Sequence, residues 1–370
     1  MLSYLKDWFD RHFSDPQVVI LALLLILGSV VVLYAGKLLA PLIASVVVAY
    51  LLEGAVRMLR GWGLPRMPAV MLVFMVFLSV FIASIFLLAP LMVQQLAQLF
   101  REAPAMISKG QEVLLQLPEN YPQLVSEQQI REVIGTIRAQ ITSIGQQVVM
   151  FSLNSVVHLV TFLVYLVLVP LLVFFMLKDK DVILAWALSF LPQERGLANL
   201  VWADVNAGIG SYVRGKFIEI LIVWSVSYVT FALLGLEYAM LLSFLTGVSV
   251  IIPYIGAFVV ALPVAVVAYF QFGLEPMFWW VVVAYTVIQF LDGNVLVPLL
   301  FSEVVNLHPV AIIAAVIIFG GLWGLWGVFF AIPLATLVAA VLNAWPTRDP
   351  AAAADASETP CTDQTETESA

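Results

Sequence analysis

The sequence predicts an all-α polytopic membrane protein, and three observations carry that prediction. Of its 370 residues, 63% are hydrophobic and 11% charged, whereas a soluble domain carries about 45–50% apolar and about 25% charged residues. The apolar residues fall in runs long enough to cross roughly 30 Å of hydrocarbon, which takes about 20 residues of helix. From Phe217 to Thr347 there is no lysine or arginine at all. A water-soluble fold of this length has too little interior for so much apolar surface.

The elements follow in order. Residues 1–16 place Leu5, Trp8, Phe9 and Phe13 near one helical face and read as an interfacial N-terminal helix. Asp7, Asp10 and Asp15 interrupt this stretch, and no small-residue cleavage site follows, which argues against a cleaved signal. Apolar runs at 17–35 and 38–56, separated only by Gly36 and Lys37, and a third at 69–93 make residues 17–93 the first three transmembrane helices. Residues 94–150 are mixed, with many glutamines and a turn at Pro118–Pro122, and read as an amphipathic extramembrane helical arm. Residues 151–346 form a transport core. It holds runs at 151–177, 217–236 and 277–300 and two longer blocks at 238–270 and 309–342, with a surface segment at 180–214. That makes eight hydrophobic units. Residues 347–370 lack large apolar side chains and read as a disordered acidic tail, with Cys361 alone in it.

Charge placement sets orientation. With the N-terminus inside, Lys6, Arg11, Arg57, Arg60, Arg66, Lys178, Lys180, Arg195, Arg214 and Lys216 are cytoplasmic. Lys37 and four basic residues of the long 94–150 segment, where the rule is weakest, are outside. Both termini are then cytoplasmic. The net charge of -8 comes largely from the tail, and no basic run offers nucleic acid a surface.

The two long blocks resemble each other. The first is interrupted by Ile252-Pro253-Tyr254-Ile255-Gly256 and the second by Gly320-Gly321-Leu322-Trp323-Gly324-Leu325-Trp326-Gly327, and the residues after each break align up to Pro263 and Pro333. Paired broken segments point to a transporter's binding site, because helix ends freed in a wet cavity hold an ion or substrate. Each block fits either a re-entrant hairpin or a kinked span, and breaks that serve packing alone also fit. Asp292 lies deep in 277–300 beside Gln289, Gly293, Asn294 and Pro298. A carboxylate at that depth costs about 2.5–3.5 kcal/mol on insertion scales, so it reads as a proton- or cation-coupling group, against a hydrogen-bonded packing acid. Glu219 follows Lys216 by three residues, near Arg214, and reads as an ion pair at the membrane surface, as does Glu53 with Arg57.

Enzymatic chemistry lacks its parts. There is no H-E-x-x-H, no G-x-S-x-G, no Walker loop and no second deep aspartate for a dyad. No cofactor and no bound metal are expected, and the partners expected are the lipid bilayer and a small solute, proton or monovalent cation.

Several stretches together carry a family resemblance. They are Pro170 to Asp179, Tyr212-Val213-Arg214-Gly215-Lys216, Ile252 to Gly256, and Asp292 to Pro298 leading through Leu307-His308-Pro309 to the glycine repeat and Ala331-Ile332-Pro333. Residues 1–346 resemble the autoinducer-2 exporter family, closest to its PerM-type permeases. The resemblance implies a multi-pass secondary transporter of the bacterial inner membrane, not an enzyme, and a homo-oligomer. It implies export of a small solute of the autoinducer-2 kind, or exchange of sodium or lithium for protons. An oligomeric scaffold or channel-like protein without coupled transport is the alternative of another class. The family supplies no agreed site residue, so the substrate path rests on the residues themselves: Asp292, Asn294, Gln289, Pro253, Gly256, Gly320, Gly321, Gly324 and Gly327, with Glu219, Lys216 and Arg214 secondary.

Overall fold

A computed structural model describes residues 16–115, 155–190, 196–253, 255–301 and 308–344, with isolated helical positions between 128 and 143. Every regular element among them is helical. The N-terminal helix, most of the extramembrane arm and the acidic tail lie outside the described residues.

The first helix, α1 (Pro16–Gly61), runs unbroken for 46 residues, about 69 Å at 1.5 Å per residue. The runs at 17–35 and 38–56 were read as two units, and they are one helix. A single glycine costs a helix only about 1 kcal/mol, and lysine is a good helix former, so Gly36-Lys37 marks no turn. The chain reverses instead at Gly61–Pro65, where Gly63 takes φ 92°. Then α2 (Arg66–Ala83) passes through one wide helical turn, Ser84–Leu88, into α3 (Ala89–Leu115). A second wide turn, Asp292–Leu296, joins α9 (Pro276–Leu291) to α10 (Val297–Phe301). Both wide turns are followed two residues later by a proline, Pro90 and Pro298. Proline has no N–H and its ring crowds the carbonyl four residues back, so widening to an i→i+5 turn absorbs the mismatch.

Between these, α4 (Ser155–Lys178) turns by 85° into the short apolar α5 (Lys180–Ser189). The long α6 (Gly196–Leu233) follows. The segment 180–214, read as a surface connection, is thus largely helical. Its apolar stretch begins at Gly208, which draws Lys216 well inside the span Gly208–Leu233.

Each long block folds back on itself. In the first, α7 (Ala239–Ser249) and α8 (Ile255–Phe272) pack Leu241 and Leu242 against Val264, Val267 and Ala268. In the second, α11 (Pro309–Trp323) and α13 (Ala331–Ala344), joined by α12 (Leu325–Phe329), pack Ala315 and Val316 against Ala331 and Ala335. These are hairpins. At 11, 15 and 14 residues, α7, α11 and α13 are about 16–22 Å long, short of a bilayer.

Among the described residues, five helical stretches are long and apolar enough to span a membrane, and the bent pair α4–α5 makes a sixth. The outside is apolar, with Val76, Phe86, Leu171, Val229, Phe258 and Leu299 exposed. With lipid as solvent, such side chains are in their proper phase, and small residues close the interior. Ala49, Val56, Ala69, Val70 and Val173 join α1, α2 and α4. Tyr212, Phe301 and Ile332 then join α6, α10 and α13, with Val47 and Leu51 of α1 against them. The protein is an all-α, multi-pass membrane protein.

Candidate functional site

Three local features open a cavity of about 210 Å³ at the centre of the second half. The first is the break between α7 and α8. The turn Val250–Pro253 ends α7 through the bonds Ile251 N–H to Val248 O (3.1 Å) and Ile252 N–H to Ser249 O (3.0 Å), and the Val250 carbonyl accepts from the Lys216 side chain. The second is the wide turn at Asp292, where Val297 N–H bonds back to Asp292 O and re-aims the helix. The third is the polar stripe of α6. Tyr212, Lys216 and Glu219 recur at i, i+4 and i+7 and share one face. Val250, Ile252, Pro253, Ala257, Gln289, Asp292 and Gly293 line the cavity with this stripe, and Ile312 and Ile332 of the second hairpin close it.

Lys216 and Glu219 are not at a surface. They are 4% and 1% exposed, and their ion pair measures 2.6 Å. The Lys216 ammonium also donates to Val250 O at 3.0 Å and stands 5.1 Å from the centre of the Phe301 ring. The surface reading fails because a residue 34 positions further on covers this face. Asp292 lines the same cavity as the pair, and its Oδ1 is buried with no hydrogen-bond partner. The Tyr212 hydroxyl is likewise buried and unpartnered. A buried polar atom without a partner is costly, and a ligand group entering the cavity would satisfy it. Tyr285 fixes the geometry: its hydroxyl donates to Ala257 O at 2.6 Å and accepts from Gln289 Nε2 at 3.0 Å, tying α9 to the start of α8.

The other predicted residues lie apart from the cavity. Asn294 is exposed and its side-chain amide donates to Phe290 O at 2.9 Å within its own helix. Arg214 sits 5.6 Å over the Tyr50 ring. The glycines build the hairpins. A Cβ on Gly256 would overlap the carbonyl of Ser249, and one on Gly327 the carbonyl of Phe319. A Cβ on Gly320 would come within 2.8 Å of the Val328 side chain across the second hairpin, whereas one on Gly321 would meet nothing within 4 Å. Gly324 makes the turn at φ 60°, ψ -137°, a conformation open to glycine and strained for other residues.

Glu53 pairs with Lys180 at 3.2 Å and not with Arg57. Arg66 pairs with Asp181. Both ion pairs sit where α5 turns away from α4, so Glu53, Arg66, Lys178, Lys180 and Asp181 gather at one end of the bundle. At the mouth of the first hairpin, α3 supplies Gln95, which accepts from Leu241 N–H at 2.9 Å, and Glu102, which accepts from the Tyr238 hydroxyl at 2.7 Å.

Comparison with known proteins now decides the family. The AI-2E family transporter profile matches residues 19–347, nearly all of the described structure. The chain belongs to the AI-2E family of transporters. It is 47% identical over 346 residues to PerM of Escherichia coli (strain K12), named as a candidate permease, covering 94% of this chain and 98% of that protein. It is 28% identical over 315 residues to the candidate transport protein YrrI of Bacillus subtilis (strain 168), covering 82% and 84% of the two chains. A second candidate transport protein of that strain, YueF, is 25% identical over 343 residues, covering 89% and 92%. The AI-2E match takes in both hairpins, the Tyr212–Glu219 stripe and the Asp292 turn. The protein is a membrane transporter or permease.

Phe301 and Tyr285 stand outside every motif in the sequence, and Tyr212 enters only among the stretches that carry the family resemblance. The i, i+4, i+7 spacing of Tyr212, Lys216 and Glu219 was a usable signal for Tyr212, since a polar stripe repeating at helical period inside an apolar run marks an inward face. Nothing in sequence pattern marks Phe301 or Tyr285.

Proposed function

We propose that this AI-2E transporter is a secondary transporter of the bacterial inner membrane that exports a small polar solute of the autoinducer-2 type. Its path passes through the Lys216–Glu219–Asp292 cavity, and Asp292 is the coupling carboxylate. The observation that carries this reading is the buried, unpartnered Asp292 Oδ1 facing a buried ion pair across a cavity of about 210 Å³. Ionisable groups at membrane depth are expensive to keep and stand where transport chemistry needs them. The Val250 carbonyl beside them, at the break between α7 and α8, is the kind of backbone group a discontinuous helix offers to a substrate or ion. A solute of a few carbons fills such a volume, with the hydroxyl of Tyr212 and the amide of Gln289 placed to read its polar groups.

Sodium or lithium exchange for protons is a second reading, favoured by one observation: Glu219, Asp292 and the Val250 carbonyl give the cavity an oxygen-rich wall. Hard oxygen ligands of this kind suit small hard cations. The C-terminus is assigned to the cytoplasm, because Arg57, Arg60, Arg66, Lys178 and Lys180 lie at span ends on what is then the inner side; with α1 unbroken, its start at Pro16 then lies on the opposite side. A homo-oligomer is the expected assembly.

Proteoliposomes with a pH dye inside separate the readings. Export predicts flux of labelled solute that an imposed proton gradient accelerates and Asp292→Asn abolishes. A pH change driven by sodium or lithium alone, lost in the same variant, selects antiport. No response of either kind would sink both.

A further inference from the structure

We propose that the Lys216 ammonium is a tethered cation that fills a monovalent-cation position in this cavity, so that the native site is closed to sodium and lithium. The inference deepens the reading above and rests on the cavity being the transport site.

The Lys216 nitrogen sits on two oxygens of the kind an alkali cation takes, a carboxylate (Glu219 Oε2, 2.6 Å) and a main-chain carbonyl at a helix break (Val250 O, 3.0 Å). Asp292 lines the same cavity with its buried, unpartnered Oδ1. The ring of Phe301 at 5.1 Å supplies the remaining electron-rich wall. Glu219, Asp292 and the neutral Tyr212 are the titratable groups facing the ammonium from α6 and from the Asp292 turn. One positive charge therefore serves two carboxylates. Without Lys216, two buried carboxylates and a free carbonyl remain, a set that calls for a cation from solution. The ammonium also bridges α6 to the first hairpin 34 residues away, so whatever displaces it releases the hairpin tip. A lysine present only to cap the Val250 carbonyl would leave no cation site behind when removed, and that contrast is testable.

The test is thermal unfolding of the purified full-length protein in detergent. NaCl, LiCl, KCl or methylammonium chloride is titrated while choline chloride holds the ionic strength. In Lys216→Ala, at least one small cation should raise Tm by a few degrees and saturate, and Lys216→Ala/Glu219→Gln should lose the effect. The native protein should show no saturable response to sodium or lithium. A folded Lys216→Ala variant indifferent to all four cations overturns the proposal. Should Lys216→Ala not fold, the native protein decides: saturable stabilisation by sodium or lithium, lost in Asp292→Asn, overturns it, and indifference supports it. Binding is read here without any gradient, so a failed transport assay and a failed cation titration are separate results.

Discussion

The Lys216–Glu219 pair is almost wholly buried, at 4% and 1% exposure, and its energetics follow from that. Removing one member of a buried pair leaves the other charged and uncompensated, at about 3–5 kcal/mol. Glu219→Gln is therefore expected to lower stability by an amount in that range, while Lys216→Met/Glu219→Gln recovers much of the loss. Chemical denaturation in detergent checks both, and additive losses would mean that the two groups do not interact. The glycines divide just as sharply. Gly256→Val and Gly327→Val drive a side chain into the backbone of the facing helix, so folded protein should be lost. Gly321→Ala enters open space and should leave it intact. Size-exclusion profiles of the three variants report this directly. At this scale the sequence was half legible. Asp292 stood out because a carboxylate breaks an apolar run, but Lys216 and Glu219 looked like a span end, since what buries them is the hairpin at Val250.

Elements carry two further expectations. Pro298 has no N–H to close an ordinary turn, and the wide turn at Asp292–Leu296 is the chain's answer. In Pro298→Ala the regular ladder can re-form, which rotates Asp292 by up to about 100°, one residue's worth of helix. Transport should then fall by about tenfold or more, since the geometry at the site changes. For α1, spin labels at positions 28 and 46 should lie about 27 Å apart, 18 residues at 1.5 Å each. Two antiparallel spans meeting at Gly36-Lys37 would bring them far closer. The broken blocks were legible because glycine and proline advertise a break in an apolar run. That each break closes a hairpin was not, since it depends on pairs such as Val316 with Ala331 that no local pattern records.

Among the described residues, Glu53, Arg66, Lys180 and Asp181 gather where spans end, and Lys216, Glu219 and Asp292 line one cavity between the helices. Composition made the membrane class legible at once, and the long apolar runs gave most of the span positions. The lysine- and arginine-free stretch from 217 to 347 left the topology of the second half silent, and the hairpins supply it. Orientation has a direct check in Cys361, the chain's single cysteine. In intact spheroplasts it should resist a membrane-impermeant maleimide and react only after permeabilisation, whereas labelling from outside would place the tail on the other face. Solute is proposed to move through the cavity with Asp292 as its coupling group. Flux of labelled autoinducer-2, measured with internal pH in proteoliposomes of the native protein and of Asp292→Asn under an imposed proton gradient, tests it most directly. Solute flux accompanied by a change in internal pH, both lost in the variant, is the predicted result; undiminished flux through Asp292→Asn would contradict it.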